Sequence, residues 1–144
     1  MSSRSLKTPC VGLCSTVYGD AVCRGCKRYD YEIIDWNTYN EEQQQAVWLR
    51  LENLLEQVMI DKLIVTDKQL LKEKLIKHNI RFRPNQSSYY WAYQLLLKGS
   101  RLIKNIEAYG IELLPPYNQK PLWELREQID IDFFAISENN YPQS

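Results

Sequence analysis

The chain has 144 residues, 44% of them hydrophobic and 25% charged, a composition that fits a globular protein and argues against disorder. Its 18 basic and 18 acidic side chains cancel, so net charge by itself points to neither nucleic acid nor a membrane surface. Apolar runs such as Leu63–Val65 and Phe133–Ile136 fall far short of the roughly 20 residues a bilayer span requires, which excludes a transmembrane helix.

The charge is unevenly spread. Residues 1–60 carry net −2, residues 61–104 net +7 and residues 105–144 net −5. The acidic tail can neutralise the basic middle within the molecule, or compete there with an acidic partner. Met1–Lys7 is positively charged with no apolar stretch behind it, unlike a secretory signal, so the expected compartment is the cytoplasm, where thiols stay reduced.

All four cysteines, Cys10, Cys14, Cys23 and Cys26, lie in the first 26 residues with the spacing C-x3-C-x8-C-x2-C. In a reducing compartment cysteines grouped this closely are more often metal ligands than disulfides. Cys23-Arg24-Gly25-Cys26 is a turn that brings two sulfurs to one ion with backbone N–H groups behind them, and Gly25 is the residue expected to take positive φ if the turn needs it. Cys10 and Cys14 enclose Gly12, Pro9 stiffens the entry, and Tyr18-Gly19-Asp20 is a turn that folds the second pair back on the first. Val11, Leu13, Val17 and Val22 would exclude water from the centre. The spacing is compatible with a tetrahedral structural zinc, with Zn–S near about 2.3 Å, and equally with an iron–sulfur cluster.

Thr8-Pro9-Cys10-Val11-Gly12-Leu13-Cys14, then Cys23-Arg24-Gly25-Cys26-Lys27-Arg28, Glu32-Ile33, Trp36 and the acidic helix start Glu41-Glu42 follow one another in a recognisable order. This pattern resembles a family of short bacterial proteins labelled predicted Fe–S proteins and classed as a domain of unknown function. The resemblance covers about residues 8–55 and implies an iron–sulfur centre; it is silent on residues 60–144.

After the cysteines, Asp30 is expected to cap a short turn through Ile34 that sets Trp36 against the metal loops. Asn40 with Gln43 forms a capping-box variant opening a helix to about residue 60, its apolar face Val47, Leu51, Leu54, Leu55 and Val58. Thr66 with Gln69 is a second capping box, leading Leu70, Leu71, Leu75 and Ile76 until Asn79 ends the helix. His78, the single histidine, reads as a helix C-terminal residue facing the dipole rather than a further ligand. A loop around Pro84 precedes a third helix from Ser88 to Lys98, stopped by Gly99 and rich in rings: Tyr89, Tyr90, Trp91 and Tyr93. Ser100 is expected to cap a fourth helix carrying Leu102, Ile103, Ile106 and Tyr109, with Gly110 as its end. Pro115-Pro116 is a rigid linker. Pro121 begins a last helix with the face Leu122, Leu125, Ile129, Phe133 and Ile136; the alternation Ile129–Phe133 also allows a strand. From Asn139 the chain is expected to fray.

The fold class expected is therefore mainly α: a small N-terminal four-cysteine metal-loop module followed by a helical bundle of about five helices. Residues 1–60 form the module with its first long helix, and residues 61–144 a helical extension with a basic aromatic centre and an acidic tail.

No enzyme is expected. One histidine permits no relay, there is no GxGxxG or GxxxxGK run among five glycines, and Asp130 with Asp132 diverge on a helix. Three functions follow. The first is a non-enzymatic metal-binding protein holding an iron–sulfur cluster or a zinc ion at Cys10, Cys14, Cys23 and Cys26, its helices facing a protein or RNA partner. The second is a redox or oxidation-sensing iron–sulfur protein. The third is an RNA- or ribosome-associated adaptor using the basic segment 68–104, where Lys72, Lys77, Arg81, Arg83, Lys98, Arg101 and Lys104 would meet phosphates and exposed rings would stack on bases. Some of those rings must pack inward, since Tyr90, Trp91 and Leu95 cannot all be exposed on one helix. No small-molecule substrate is evident.

Overall fold

A computed structural model describes residues 8–10 and 14–142. Met1–Lys7, and Val11, Gly12 and Leu13 of the first cysteine loop, lie outside the described residues.

The described chain is mainly helical, with α1 Asp30–Asp35, α2 Glu41–Met59, α3 Lys68–Lys77, α4 Ser88–Gly99 and α5 Leu122–Asn139. None of its helices is long and apolar enough to cross a membrane. Two short strands, β1 Leu63–Val65 and β2 Ile111–Leu113, pair antiparallel with Leu63 opposite Leu113, Ile64 opposite Glu112 and Val65 opposite Ile111.

The long helix α2 starts as the sequence dictates. Asn40 Oδ1 accepts from the Gln43 N–H at 2.8 Å while Gln43 Oε1 accepts from the Asn40 N–H at 2.9 Å, so two otherwise orphaned donors are satisfied reciprocally. Val47, Leu51, Leu54, Leu55 and Val58 are all buried, and α2 packs along both α4 and α5. Together with Trp36, Leu63, Leu71, Leu75, Phe82 and Ile111 they belong to one continuous core.

The centre of that core is α4. From Tyr90 to Leu96 every residue is buried, which is how a helix surrounded by neighbours rather than water behaves. Edge-on ring contacts fasten it to each side: Trp48 to Tyr90, Phe82 to Trp91 and Tyr93 to Phe133, with centroids 6.0, 5.4 and 5.8 Å apart. Tyr90, Trp91 and Tyr93 are therefore packing residues, and the basic segment has no row of exposed rings.

Several local expectations change. The helix start after β1 is capped by Asp67, whose Oδ1 accepts from the Leu70 N–H at 3.0 Å. Thr66 instead continues the strand ladder, its N–H donating to the Gly110 carbonyl at 2.8 Å. The expected fourth helix is a 3-10 turn, Ile106–Tyr109, capped by Asn105 and ended by left-handed Gly110. Gly110 is required there twice over: its φ is +78°, and a Cβ would stand 2.4 Å from the Asp67 carbonyl oxygen. α1 is capped by Tyr29 rather than Asp30, and Ile129–Phe133 is helical within α5.

Contrary to expectation, the described residues after Asn139 do not fray. Tyr141 packs edge-on against Tyr29 at 5.0 Å and its hydroxyl donates to Asp30 Oδ1 at 3.0 Å, so a ring pair and a charge-assisted bond hold the segment down.

Asp67→Ala should lower stability by about 1 kcal/mol, whereas Thr66→Ala should leave it nearly unchanged. Urea denaturation followed by circular dichroism reads both, and the reverse ranking would return the cap to Thr66.

Candidate metal centre

Cys23 and Cys26 sit on a tight knuckle. Val22 and Tyr29 form an antiparallel bridge across its base. Inside it, the Cys23 N–H donates to the Arg28 carbonyl and the Lys27 N–H to the Cys23 carbonyl, both at 2.9 Å. The turn does need a left-handed residue, but that residue is Lys27, with φ +66°, and Gly25 is not among the positive-φ positions.

A non-glycine residue in that region is unfavourable by about 1–2 kcal/mol, so its side chain must contribute something a glycine could not. Lys27 is 1% exposed. Its Nζ turns under the knuckle to donate to the Arg24 carbonyl at 2.6 Å, the Gly25 carbonyl at 3.1 Å and Asp130 Oδ1 at 3.1 Å. Asp130 Oδ1 also accepts from the Tyr93 hydroxyl at 2.8 Å. The knuckle is thus bolted through one carboxylate to α5 and α4.

A second strap comes from the turn Ser15–Tyr18, which falls where the turn was expected and which Gly19 ends in the left-handed region. Ser15 Oγ accepts from the Arg24 N–H at 2.8 Å. On the outer side, Arg50 forms a two-pronged ion pair with Glu32, its Nη2 to Oε1 at 2.7 Å, and its guanidinium lies 4.1 Å from the Tyr29 ring centroid. The Tyr29 N–H donates to Glu32 Oε1 at 2.8 Å.

The surroundings of the two sulfurs favour negative charge. Backbone N–H groups of Cys26, Ser15 and Gly25 all serve Cys23 Sγ. Arg28 Nε donates to Cys26 Sγ at 3.3 Å. Arg28 is buried, it stacks on the Trp36 ring at 4.9 Å, and among the described residues it makes no ion pair with a carboxylate. Its acceptor is the Cys26 sulfur, one member of a pair that shares a negative charge. The hydrogen bond from the Cys26 thiol, against the opposing effect of burial and with the backbone N–H groups adding to it, holds the Cys23 thiol down at about 4. Cys26 is pushed up, by that shared hydrogen bond first and by burial second, with Arg28 opposing. The pair therefore carries one negative charge and one proton across neutral pH.

All four cysteines are unbridged. Cys23 and Cys26 are buried and together; Cys14 is half-buried with its Sγ 2.9 Å from Thr16 Oγ1, and Cys10 is exposed. Among the described residues no three histidine, cysteine, aspartate or glutamate side chains gather as a metal shell. The structure thus brings together the C-x2-C half of the expected ligand set. The donor chemistry of that half suits a thiophilic cation: two buried sulfurs, N–H donors aimed at one and a guanidinium at the other. Val22 is buried beside them, whereas Val17 is 72% exposed and does not shield them.

The basic residues scatter. Lys77, Arg81, Lys98, Arg101 and Lys104 are exposed and Lys72 half-buried. Arg83 is occupied, stacked 4.4 Å over the Trp48 ring and donating to Gln45 Oε1 at 2.9 Å. His78 caps the C-terminus of α3 and lies beside the Tyr109 ring, away from any group of ligands. The site residues sequence reasoning missed are Lys27, Arg28 and Asp130. Lys27 and Arg28 follow Cys26 directly in the sequence, one and two residues on, but nothing local links either to residue 130.

Lys27→Gly removes the backbone cost at the knuckle, yet should destabilise the protein by about 2 kcal/mol because Asp130 and two carbonyls lose their shared donor. Unchanged or raised stability in urea denaturation would show that Lys27 serves only as a turn residue. In the metal-free chain, the ultraviolet thiolate absorbance that Cys23→Ser removes should persist from neutral pH down to about 4. A midpoint near the ordinary thiol value of 9.0 would contradict the hydrogen-bonded pair.

No curated protein and no solved structure matches this chain. Residues 8–55, one third of it and the part that holds all four cysteines, match the model of a family described as protein of unknown function (DUF1289).

Proposed function

We propose that this is a non-enzymatic metal-binding protein in which Cys23 and Cys26 are the fixed half of a four-cysteine centre and Cys10 and Cys14 supply the other half. The observation that carries the reading is the way the C-x2-C pair accommodates negative charge: N–H donors and the Cys26 thiol lower Cys23, and the buried guanidinium of Arg28 donates to Cys26 Sγ. Burying a charge without compensation is strongly unfavourable, so a buried cation against this sulfur pair supports a negative charge shared across it. A bound iron–sulfur cluster or zinc ion would tie the first cysteine loop to the knuckle and stabilise a segment too small to bury its own core. Around it, this chain's own residues do the positioning. Lys27 holds the knuckle to α5, Arg28 donates to Cys26 Sγ, and Trp36 backs Arg28 against the main core.

Beyond the centre, the exposed helical surface is the part available to a macromolecular partner.

Anaerobic purification of the full chain followed by metal analysis and a visible spectrum tests the reading. One centre per chain is expected, abolished by Cys23→Ser and by Cys26→Ser and weakened by Arg28→Ala. Colour that bleaches in air would make the centre a redox-active cluster, and oxygen-insensitive zinc would make it structural. A colourless, metal-free chain that remains folded would reject both.

A further inference from the structure

A second site lies away from the cysteines. The turn after α4, the 3-10 turn Ile106–Tyr109, β2 and the start of α5 enclose an open cleft of about 580 Å³, within the usual range of ligand pockets, about 300–1,000 Å³. Six side chains give it its chemistry: Arg101, Lys104, Lys120, Glu107, Glu112 and Trp123. Trp123 is 37% exposed, and the Arg101 guanidinium lies 5.5 Å from its ring centroid.

The charges are the informative part. Three cations and two carboxylates line one cleft, yet among the described residues none of the five makes an ion pair. Five different positions of the backbone hold them, and β2 fixes Glu112 by its pairing opposite Ile64, so they do not collapse onto each other. A ligand that satisfies such a wall needs a flat face for the indole, an anion for the lysines and N–H donors for the carboxylates. A purely acidic peptide lacks the flat face and meets two carboxylates; a phosphorylated nucleobase has all three features.

We propose that this cleft binds one ribonucleotide unit, its base stacked on the Trp123–Arg101 pair, its phosphate held by Lys104 and Lys120, and its amino edge accepted by Glu107 or Glu112. The same chemistry is presented by a free nucleotide and by one unit of single-stranded RNA. The inference does not rest on the metal centre. It differs from a broad basic face over residues 68–104, because Lys120, Glu112 and Trp123 lie outside that segment and the rings within it are mostly core.

The test is calorimetric titration of the full chain with GMP, UMP and a short single-stranded oligoribonucleotide at low salt. One saturable site is expected. Lys104→Glu with Lys120→Glu should abolish binding, and Trp123→Ala should weaken it about tenfold. Lys77→Glu with Arg81→Glu, charges outside the cleft, should leave it unchanged. Unfolding temperatures of the four charge-reversal substitutions, measured alongside, should match the parent, since those side chains are exposed, and the Trp123→Ala affinity is read at a temperature where that variant is fully folded. Affinity for the oligonucleotide far above that for GMP, falling steeply with salt, assigns the site to RNA; equal affinities assign it to the free nucleotide. UMP binding as tightly as GMP would remove the base-edge role of the glutamates and overturn that part. No heat with any ligand at millimolar concentration, or full binding by the double lysine variant, overturns the whole proposal.

Discussion

The ammonium of Lys27 beneath the cysteine knuckle is the contact on which the arrangement of the site depends. A cation 1% exposed survives only if oxygens surround it. Here two knuckle carbonyls and Asp130 provide them, and Asp130 also accepts from Tyr93. The geometry at the two sulfurs is thereby inherited from the main core, because α4 and α5 cannot shift without disturbing the same carboxylate. A glycine at position 27 would suit the backbone but remove the knuckle's link to Asp130.

The acidic tail works in the same manner a second time. Asp132 lies two residues on from Asp130, about 200° around the helix, and accepts from the buried Lys62 at 2.8 Å. The Lys62 Nζ donates to the Val58 carbonyl as well, at 2.7 Å. As expected for a helix, the two carboxylates diverge, each neutralising a buried lysine from a different part of the chain. Part of the charge asymmetry along the sequence is thus resolved inside the molecule, and the cations left at the surface are the ones that can meet something else.

The cysteine centre and the Trp123 cleft are built on opposite principles. At the knuckle Lys27 and Arg28 are buried against acceptors, which is the environment a bound cation and its thiolates require. In the cleft the charges are exposed, of both signs and, among the described residues, without ion pairs, which suits a ligand that arrives and leaves. The first site matches the region covered by the uncharacterised family; the second is made wholly by residues beyond it.

Local rules were sufficient for much of this fold. The Asn40 capping box, the buried stripe of α2, the glycines ending turns at Gly19 and Gly110, and the pairing of Cys23 with Cys26 all depend on residues within a few positions of one another. Periodicity and spacing alone therefore determined the mainly helical class, the long helix and the C-x2-C sulfur pair. Three-residue strands are too short to show a period, so β1 and β2 could be recognised only once residues 63–65 and 111–113 met. Only the tertiary structure decided that Lys27 and not Gly25 takes the left-handed turn, that the rings of α4 face inward, and that Tyr141 is held against Asp30. Each of those outcomes is fixed by contacts between residues far apart in sequence, whose energies exceed the local preferences that a linear reading can weigh.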